Sequence, residues 1–282
     1  MSFKFNFSVS DEDNSVKDII DDKDSEDTGS SAPFVTIDPS MVNIQHSEGV
    51  SIKSYKFSQD VEVHCYDSAS LEKKVKDTTA IGKALTSNSD LIPSVYEGGM
   101  TVWECGVDLA QYTVDSDISF TDKRILELGC GAGIPGICAA KLGASEVHFQ
   151  DFNADVLELY TIPNVLNLNQ TTNCRFKFFA GDWSEMSTAV KGNRSQEFLY
   201  DYILTAETIY SVDSYKKLHD CFAAMLKPSG LVYVAAKSNY FGVGGGTRSF
   251  EQFVKEKNTF EIKVVNEISS GVPREIMKLH FK

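Results

Sequence analysis

The sequence lacks the features that mark several large protein classes. It has no run of about 18 apolar residues, so no segment is expected to cross a membrane. The opening MSFKFNFSVS carries one lysine and no apolar core, which is not the pattern of a secretory leader. Six cysteines (Cys65, Cys105, Cys130, Cys138, Cys174, Cys221) are scattered without a C-x-x-C pair. Five histidines (His46, His64, His148, His219, His280) share no metal-ligand spacing with each other or with cysteine. The expectation is therefore reduced, buried thiols in an intracellular protein, and no metal. Cations are scarce as well. Against 40 Asp and Glu stand 27 Lys and Arg, a net charge of −13. That argues against tight binding to bare nucleic acid, which needs clustered cations to displace counterions. Basic proteins and small neutral ligands fit better.

The 282 residues do include 18 Phe and 11 Tyr within a hydrophobic fraction of 42%, enough to fill a core. The charge is uneven. Residues 11–27 hold nine acids and two lysines, so residues 1–31 read as an acidic tail that cannot bury enough apolar surface to order itself. Phe3, Phe5 and Phe7 alternate ahead of it, as a strand of this chain or a peptide docking on a partner's sheet edge would. Residues 32–95 mix short apolar runs with Ser and Asp and read as an accessory segment, leaving 96–282 as the main domain.

In that domain strands alternate with helices. KRILEL (123–128), EVHFQ (146–150), RFKFF (175–179), YILT (202–205) and LVYVA (231–235) read as strands. Helices are expected at Ile137–Leu142, after Asn153 with an interruption at Pro163, and at Val212–Leu226, where Leu218, Cys221, Phe222 and Met225 recur at helical spacing. The pattern implies a mostly parallel sheet covered on both faces. The segments 260–265 and 275–281 flank SSGVP with no helix between them, so the last strand is expected to run antiparallel.

The strongest local signal is ELGCGAGIPG, Glu127 to Gly136, at a strand-to-helix turn. Gly131, Gly133 and Gly136 match G-x-G-x-x-G, and Asp151 stands 20 residues after Gly131, where a ribose-binding acid belongs. Two cofactors satisfy this: a nicotinamide dinucleotide, with pyrophosphate on the helix N-terminus, or S-adenosylmethionine (SAM), with its methionine end over the glycines. Three features favour SAM. Gly181-Asp182-Trp183 supplies an acceptor for an adenine amino group and an indole to cover the ring. Glu207-Thr208-Ile209-Tyr210 puts an acid and an aromatic three residues apart at the carboxyl edge of the sheet. The hairpin ending is the third.

The stretches YEGGMTVWECGVDLAQY (96–112), RILELGCGAGIPG, VHFQDFN (147–153), GDW, DYILTAETIY (201–210) and NYFGVGGG (239–246) together resemble the histidine protein methyltransferase family, relatives of the protein-lysine methyltransferases. The resemblance covers about residues 90–282, and FKFNFS at the start shares it. It implies an α/β fold, a seven-strand, mostly parallel, doubly wound Rossmann-like sheet with an antiparallel last strand. It further implies methylation of the tele ring nitrogen of a histidine in a large-subunit ribosomal protein, with lysine as the alternative acceptor. A monomer acting in cytoplasm and nucleus on a basic protein is the corresponding expectation.

Carried onto this sequence, the resemblance implies cofactor contacts from Trp103, Glu104, Glu127, Gly129, Gly131, Gly133, Asp151, Phe152, Asn153, Gly181, Asp182, Trp183 and Ala206. Glu207 and Tyr210 take catalytic roles, and Tyr240, Phe241 and Gly242 face substrate. The chemistry is coherent. A sulfonium methyl is already electrophilic, so such an enzyme mainly aligns the nucleophile and excludes water. A neutral imidazole has its lone pair at neutral pH and needs an acceptor for its other N–H, here Glu207. Tyr210, Trp103, Tyr240 and Phe241 would wall the ring. Gly242, Gly244, Gly245 and Gly246 form either a mobile lip or a simple turn.

Overall fold

A computed structural model describes residues 33–42, 48–72, 96–116, 118–169, 173–193 and 198–282. Phe3, Phe5, Phe7 and the acidic run lie outside the described residues. In chain order come β1 (Val35–Ile37), β2 (Ile52–Lys56), β3 (Glu62–Tyr66), the short α1 (Ser68–Glu72), α2 (Glu104–Asp115), β4 (Arg124–Leu128), α3 (Ile134–Lys141) and β5 (Glu146–Asp151). Then follow α4 (Ala154–Val156, continued through Leu157–Thr161 and Asn164–Leu168), β6 (Arg175–Ala180), α5 (Trp183–Asn193), β7 (Tyr200–Ala206) and α6 (Tyr215–Met225). Last are β8 (Leu226–Lys237), α7 (Thr247–Lys257), β9 (Phe260–Ile268) and β10 (Arg274–Phe281).

The main sheet runs β1-β6-β5-β4-β7-β8-β10-β9. From β6 to β8 all neighbours are parallel, and β10 is antiparallel to both β8 and β9. The seven expected strands are thus in place, with the last one reversed. An eighth is added: β1 lies antiparallel on β6, pairing Val35 with Ala180, while Phe34 stacks on Phe179 at 5.3 Å. A short strand of this kind covers an edge that would otherwise offer unpaired backbone groups.

Burial explains the pattern. All six residues of β5 are buried, as expected for a central parallel strand with helices on both faces. One face packs on α2, α3 and α4 through residues such as Leu109, Ile137 and Val156. The other packs on α5, α6 and α7 through Met186, Leu218, Phe222 and Phe250. The β2–β3 hairpin docks on α4 through asparagines. Asn164 Oδ1 accepts the Tyr66 N–H at 2.9 Å, and the Asn169 amide bonds the His64 backbone in both directions. Its Val61, Val63 and Cys65 join the core of the first face.

Three local expectations change. Helix α3 starts at Ile134, directly after Gly133, rather than at Ile137. Pro163 does not interrupt α4, because π-helical turns on either side widen the bonding pattern and absorb its missing N–H. LKPSG is not a break before the fifth parallel strand. It is the start of β8, where a register shift opposes Tyr200 to Leu226 and Tyr202 to Leu231. Among the described residues no helix is long and apolar enough to cross a membrane, and no group of three or more His, Cys, Asp or Glu could hold a metal ion.

Candidate functional site

The carboxyl ends of β4, β5, β6 and β7 open into one cavity of about 1070 Å³, where open α/β sheets bind ligands. Its floor is the turn after β4. Gly129 and Gly131 sit at φ 60° and 48°, in left-handed conformations that side chains resist. A Cβ on Gly129 would come within 2.7 Å of Thr208 Cγ2, and one on Gly131 within 2.8 Å of the Gly99 carbonyl. The glycines therefore bring three separate segments into contact. Gly98 and Gly99, from the stretch before α2, form part of the lining with Glu97 and Trp103.

At the end of β5, Asp151 is buried with both oxygens engaged: Oδ2 accepts from Gly131 N–H at 3.0 Å and Oδ1 from Asn153 N–H at 3.2 Å. Burial pushes its carboxyl up to about 6, against the pull of these backbone donors. Glu127, at the end of β4, accepts the Gly136 N–H at 2.8 Å, and burial pushes it up to about 8. One residue before Asp151, Gln150 braces the opposite wall. Its Oε1 accepts from Trp183 Nε1 at 2.8 Å and from Gly129 N–H at 3.3 Å, while its Nε2 donates to the Gly181 carbonyl at 2.8 Å. Asp182 begins α5: Oδ1 accepts from Ser184 N–H at 2.7 Å and from its hydroxyl, and Oδ2 faces Lys217 Nζ at 3.3 Å. Burial opposes the ionised form of Asp182, but these partners outweigh it and hold the carboxyl below its usual range.

After β7 the chain turns sharply at Glu207, which holds φ 59° and donates its N–H to the Ala235 carbonyl at 2.9 Å. Glu207 Oε2 accepts the Tyr240 hydroxyl at 2.5 Å, and Oε1 lies 3.6 Å from Lys237 Nζ. Burial, and then the Glu207 charge, push Tyr240 well above its ordinary range, so it stays a donor. Tyr210, edge-on to Tyr240 at 6.4 Å between centroids, donates its hydroxyl to Glu97. The glycine-rich loop is clamped against this segment. Gly245 N–H donates to the Tyr210 carbonyl at 3.0 Å, and a Cβ there would lie 2.3 Å from the Ile209 and Tyr210 backbone.

Twelve of the expected site residues line the cavity: Trp103, Glu127, Gly129, Gly131, Asp151, Phe152, Gly181, Asp182, Trp183, Ala206, Glu207 and Tyr210. Tyr240 reaches it through Glu207. The other expected residues stand outside this lining. Glu104 turns away to pair with Arg274 Nη1 at 3.0 Å. Gly133 caps α3, where a Cβ would press on Phe149 at 3.1 Å, so its role is packing. Asn153 supports Asp151 from behind through its backbone. Phe241 is 87% exposed, and neither it nor Gly242 lines the cavity. Sequence reading passed over Glu97, Gly99, Gln150 and Lys237. The Gly98-Gly99 pair carried a signal of close backbone approach; Gln150 and Lys237 carried none, being polar residues at the ends of apolar strands.

The charge of the lining separates the two cofactors. Among the described residues it holds five carboxylates (Glu97, Asp151, Asp182, Glu207, Asp213) and the protonated Glu127 against one lysine, Lys217, which faces Asp182. A pyrophosphate would meet mainly anions, whereas the positive sulfonium and ammonium of SAM meet complementary charge. The ribose acceptor, the indole wall and the glycine cradle suit SAM equally.

Comparison with known proteins agrees. Residues 83–256 match the lysine methyltransferase family. The chain is 39% identical over 246 residues to the histidine protein methyltransferase 1 homolog of Bos taurus, covering 79% of this chain and 66% of that protein. It is 38% identical over 248 residues to the Rattus norvegicus homolog, covering 80% and 68%. A protein-lysine N-methyltransferase of Mus musculus, EEF2KMT, is 30% identical over 172 residues, covering 55% and 49%. The chain thus spans about two thirds of the length of the histidine enzymes it matches, slightly less for Bos taurus. It belongs to the histidine protein methyltransferases, within the wider lysine methyltransferase family.

Proposed function

We propose that this chain transfers a methyl group from SAM to the tele nitrogen of a histidine in a basic protein, one of the large ribosomal subunit. The observation that carries the reading is its 38–39% identity, over about four fifths of the chain, to enzymes named for histidine, against 30% over 55% of the chain to one named for lysine. SAM supplies an electrophilic methyl on a sulfonium. Asp151 holds the ribose hydroxyls, Trp183 covers the adenine beside Asp182, and Gly129 and Gly131 let the methionine end approach the backbone. Tyr210 and Trp103 wall the acceptor ring, and Glu207 accepts its second N–H so that the attacking nitrogen keeps a free lone pair. The net charge of −13 favours encounter with a cationic substrate.

The test is incubation with labelled SAM in a lysate lacking the enzyme, followed by hydrolysis of the labelled band to amino acids. Tele-methylhistidine is the expected product; methyllysine alone would overturn the reading. Glu207→Gln should leave SAM affinity intact and lower kcat by about 10²-fold, the usual worth of an oriented proton acceptor. Loss of SAM binding in that variant would move Glu207 to the cofactor side.

A further inference from the structure

Lys237, at the last position of β8, is only 9% exposed. Its ammonium lies over the Trp103 ring at 5.2 Å from the centroid and over the Tyr240 ring at 5.4 Å, and faces Glu207 Oε1 at 3.6 Å. Two aromatic faces and a carboxylate are the groups with which proteins capture an alkylammonium. In this chain those groups converge on an internal lysine. Trp103 and Glu207 also line the cavity, so the occupied cation site backs directly onto the proposed acceptor end.

The arrangement is held from several sides. The Lys237 N–H donates to the Tyr240 hydroxyl at 3.2 Å, and that hydroxyl donates to Glu207, so backbone, ring and carboxylate share one register. Across the sheet Lys237 is paired with Arg274. That cation is satisfied separately, by Asp108 at 2.5 Å and Glu104 at 3.0 Å, and leaves Glu207 to Lys237. Cys105 stands beside Glu207 as a thiol, pushed well above its usual range by burial and then by the Glu207 charge.

We propose that Lys237 is a specificity-determining residue: its side chain occupies the aromatic–carboxylate cage that would otherwise hold a substrate lysine, so the site takes a neutral ring instead. This deepens the histidine reading and rests on it. With Lys237 in place, Glu207 is balanced and an incoming ammonium meets like charge beside it. A neutral imidazole meets no such penalty and still finds a carboxylate for its N–H.

Two small probes test this on the full chain loaded with S-adenosylhomocysteine: 4-methylimidazole for a histidine side chain and n-butylammonium for a lysine side chain. Binding is measured by titration calorimetry. The wild type should prefer the ring. Lys237→Met should lower that preference by about tenfold or more, the worth of one desolvated cation–aromatic site. Lys237→Arg should restore it. S-adenosylhomocysteine affinity measured on each variant reports whether it has folded. An unchanged preference in a folded Lys237→Met would overturn the role of Lys237 alone. A wild type that takes n-butylammonium as readily as the ring would overturn the histidine reading itself, and binding of neither probe would overturn the placement of the acceptor end at Glu207.

Discussion

Trp183 Nε1 donates to Gln150 Oε1 at 2.8 Å, across 33 positions of sequence, and this bond sets one wall of the cavity. Gln150 stands one residue before Asp151, the last residue of β5, so a single strand end carries both the proposed ribose acceptor and the brace for Trp183. Its other two bonds reach the turns after β4 and β6. Gln150→Leu would strand the indole N–H and the Gly181 carbonyl in a buried setting. The expected result is a loss of about 1–3 kcal/mol in stability and about tenfold weaker SAM binding, with KM for the protein substrate unchanged. Chemical denaturation and calorimetry read the two effects separately.

Asp151 should make SAM binding depend on pH. Burial raises its carboxyl to about 6, so below that value it is protonated and accepts hydrogen bonds poorly. SAM affinity should therefore fall as pH drops through 6. Asp151→Asn should bind SAM more weakly, by roughly 2 kcal/mol, and should lose the pH dependence. Calorimetric Kd values measured between pH 5 and 8 decide it; a wild-type profile as flat as that of the variant would reject the assignment.

Glu127 should show itself in stability. Its carboxyl is raised from 4.5 in the unfolded chain to about 8 in the fold, so the folded state holds a proton that the unfolded state releases. The stabilisation from this group is fully present below pH 4.5 and is lost as pH rises through 8, at up to about 1.4 kcal/mol per pH unit. Glu127→Gln keeps the acceptor for Gly136 N–H without the titration. The difference in unfolding free energy between variant and wild type should therefore grow in favour of the variant from pH 5 to pH 8.

His148 has the opposite sign. It is fully buried between Tyr200, at 2.7 Å from Nδ1, and Glu146, and burial lowers it to about 4. The unfolded chain binds the proton first as pH falls, so this contribution is present above 6.5 and is lost between 6.5 and 4. Replacing His148 with Gln should remove that loss from the wild-type profile. Thermal unfolding at pH 7 and pH 5 compares the two proteins.

The glycine-rich loop should behave as a rigid clamp. Gly245→Ala puts a Cβ 2.3 Å from the backbone of Ile209 and Tyr210, atoms that cannot yield without moving the segment that carries Glu207. Methyl transfer should fall by about 10²-fold, the cost of misplacing a catalytic group by about 1 Å, with SAM affinity nearly retained. Activity equal to wild type would instead mean that the loop moves freely as a lip.

The sequence by itself determined the sheet, its alternation with helices, the reversed last strand and the glycine-rich turn with its acid at the carboxyl edge. These rest on local physics: period and run length mark buried strands, and a glycine-rich turn followed at fixed distance by an acid places its ligand contacts along consecutive strand ends. Glu207, Tyr210, Trp103 and Tyr240 were legible as candidates, but only the tertiary structure decided how they meet and that Lys237 joins them. Glu207, Trp103 and the Lys237–Tyr240 pair come from three separate stretches, and their meeting depends on how β7, β8 and the start of α2 pack. The same holds where a residue went elsewhere. Glu104 sits beside Trp103 in sequence, yet its carboxylate pairs with the Arg274 guanidinium and is absent from the cavity lining. Phe241 follows Tyr240 but faces solvent, because adjacent side chains in a tight loop leave in different directions. A long-range ion pair or ring contact has no period and no spacing, so nothing along the chain announces it; it exists only once the sheet has brought its partners together.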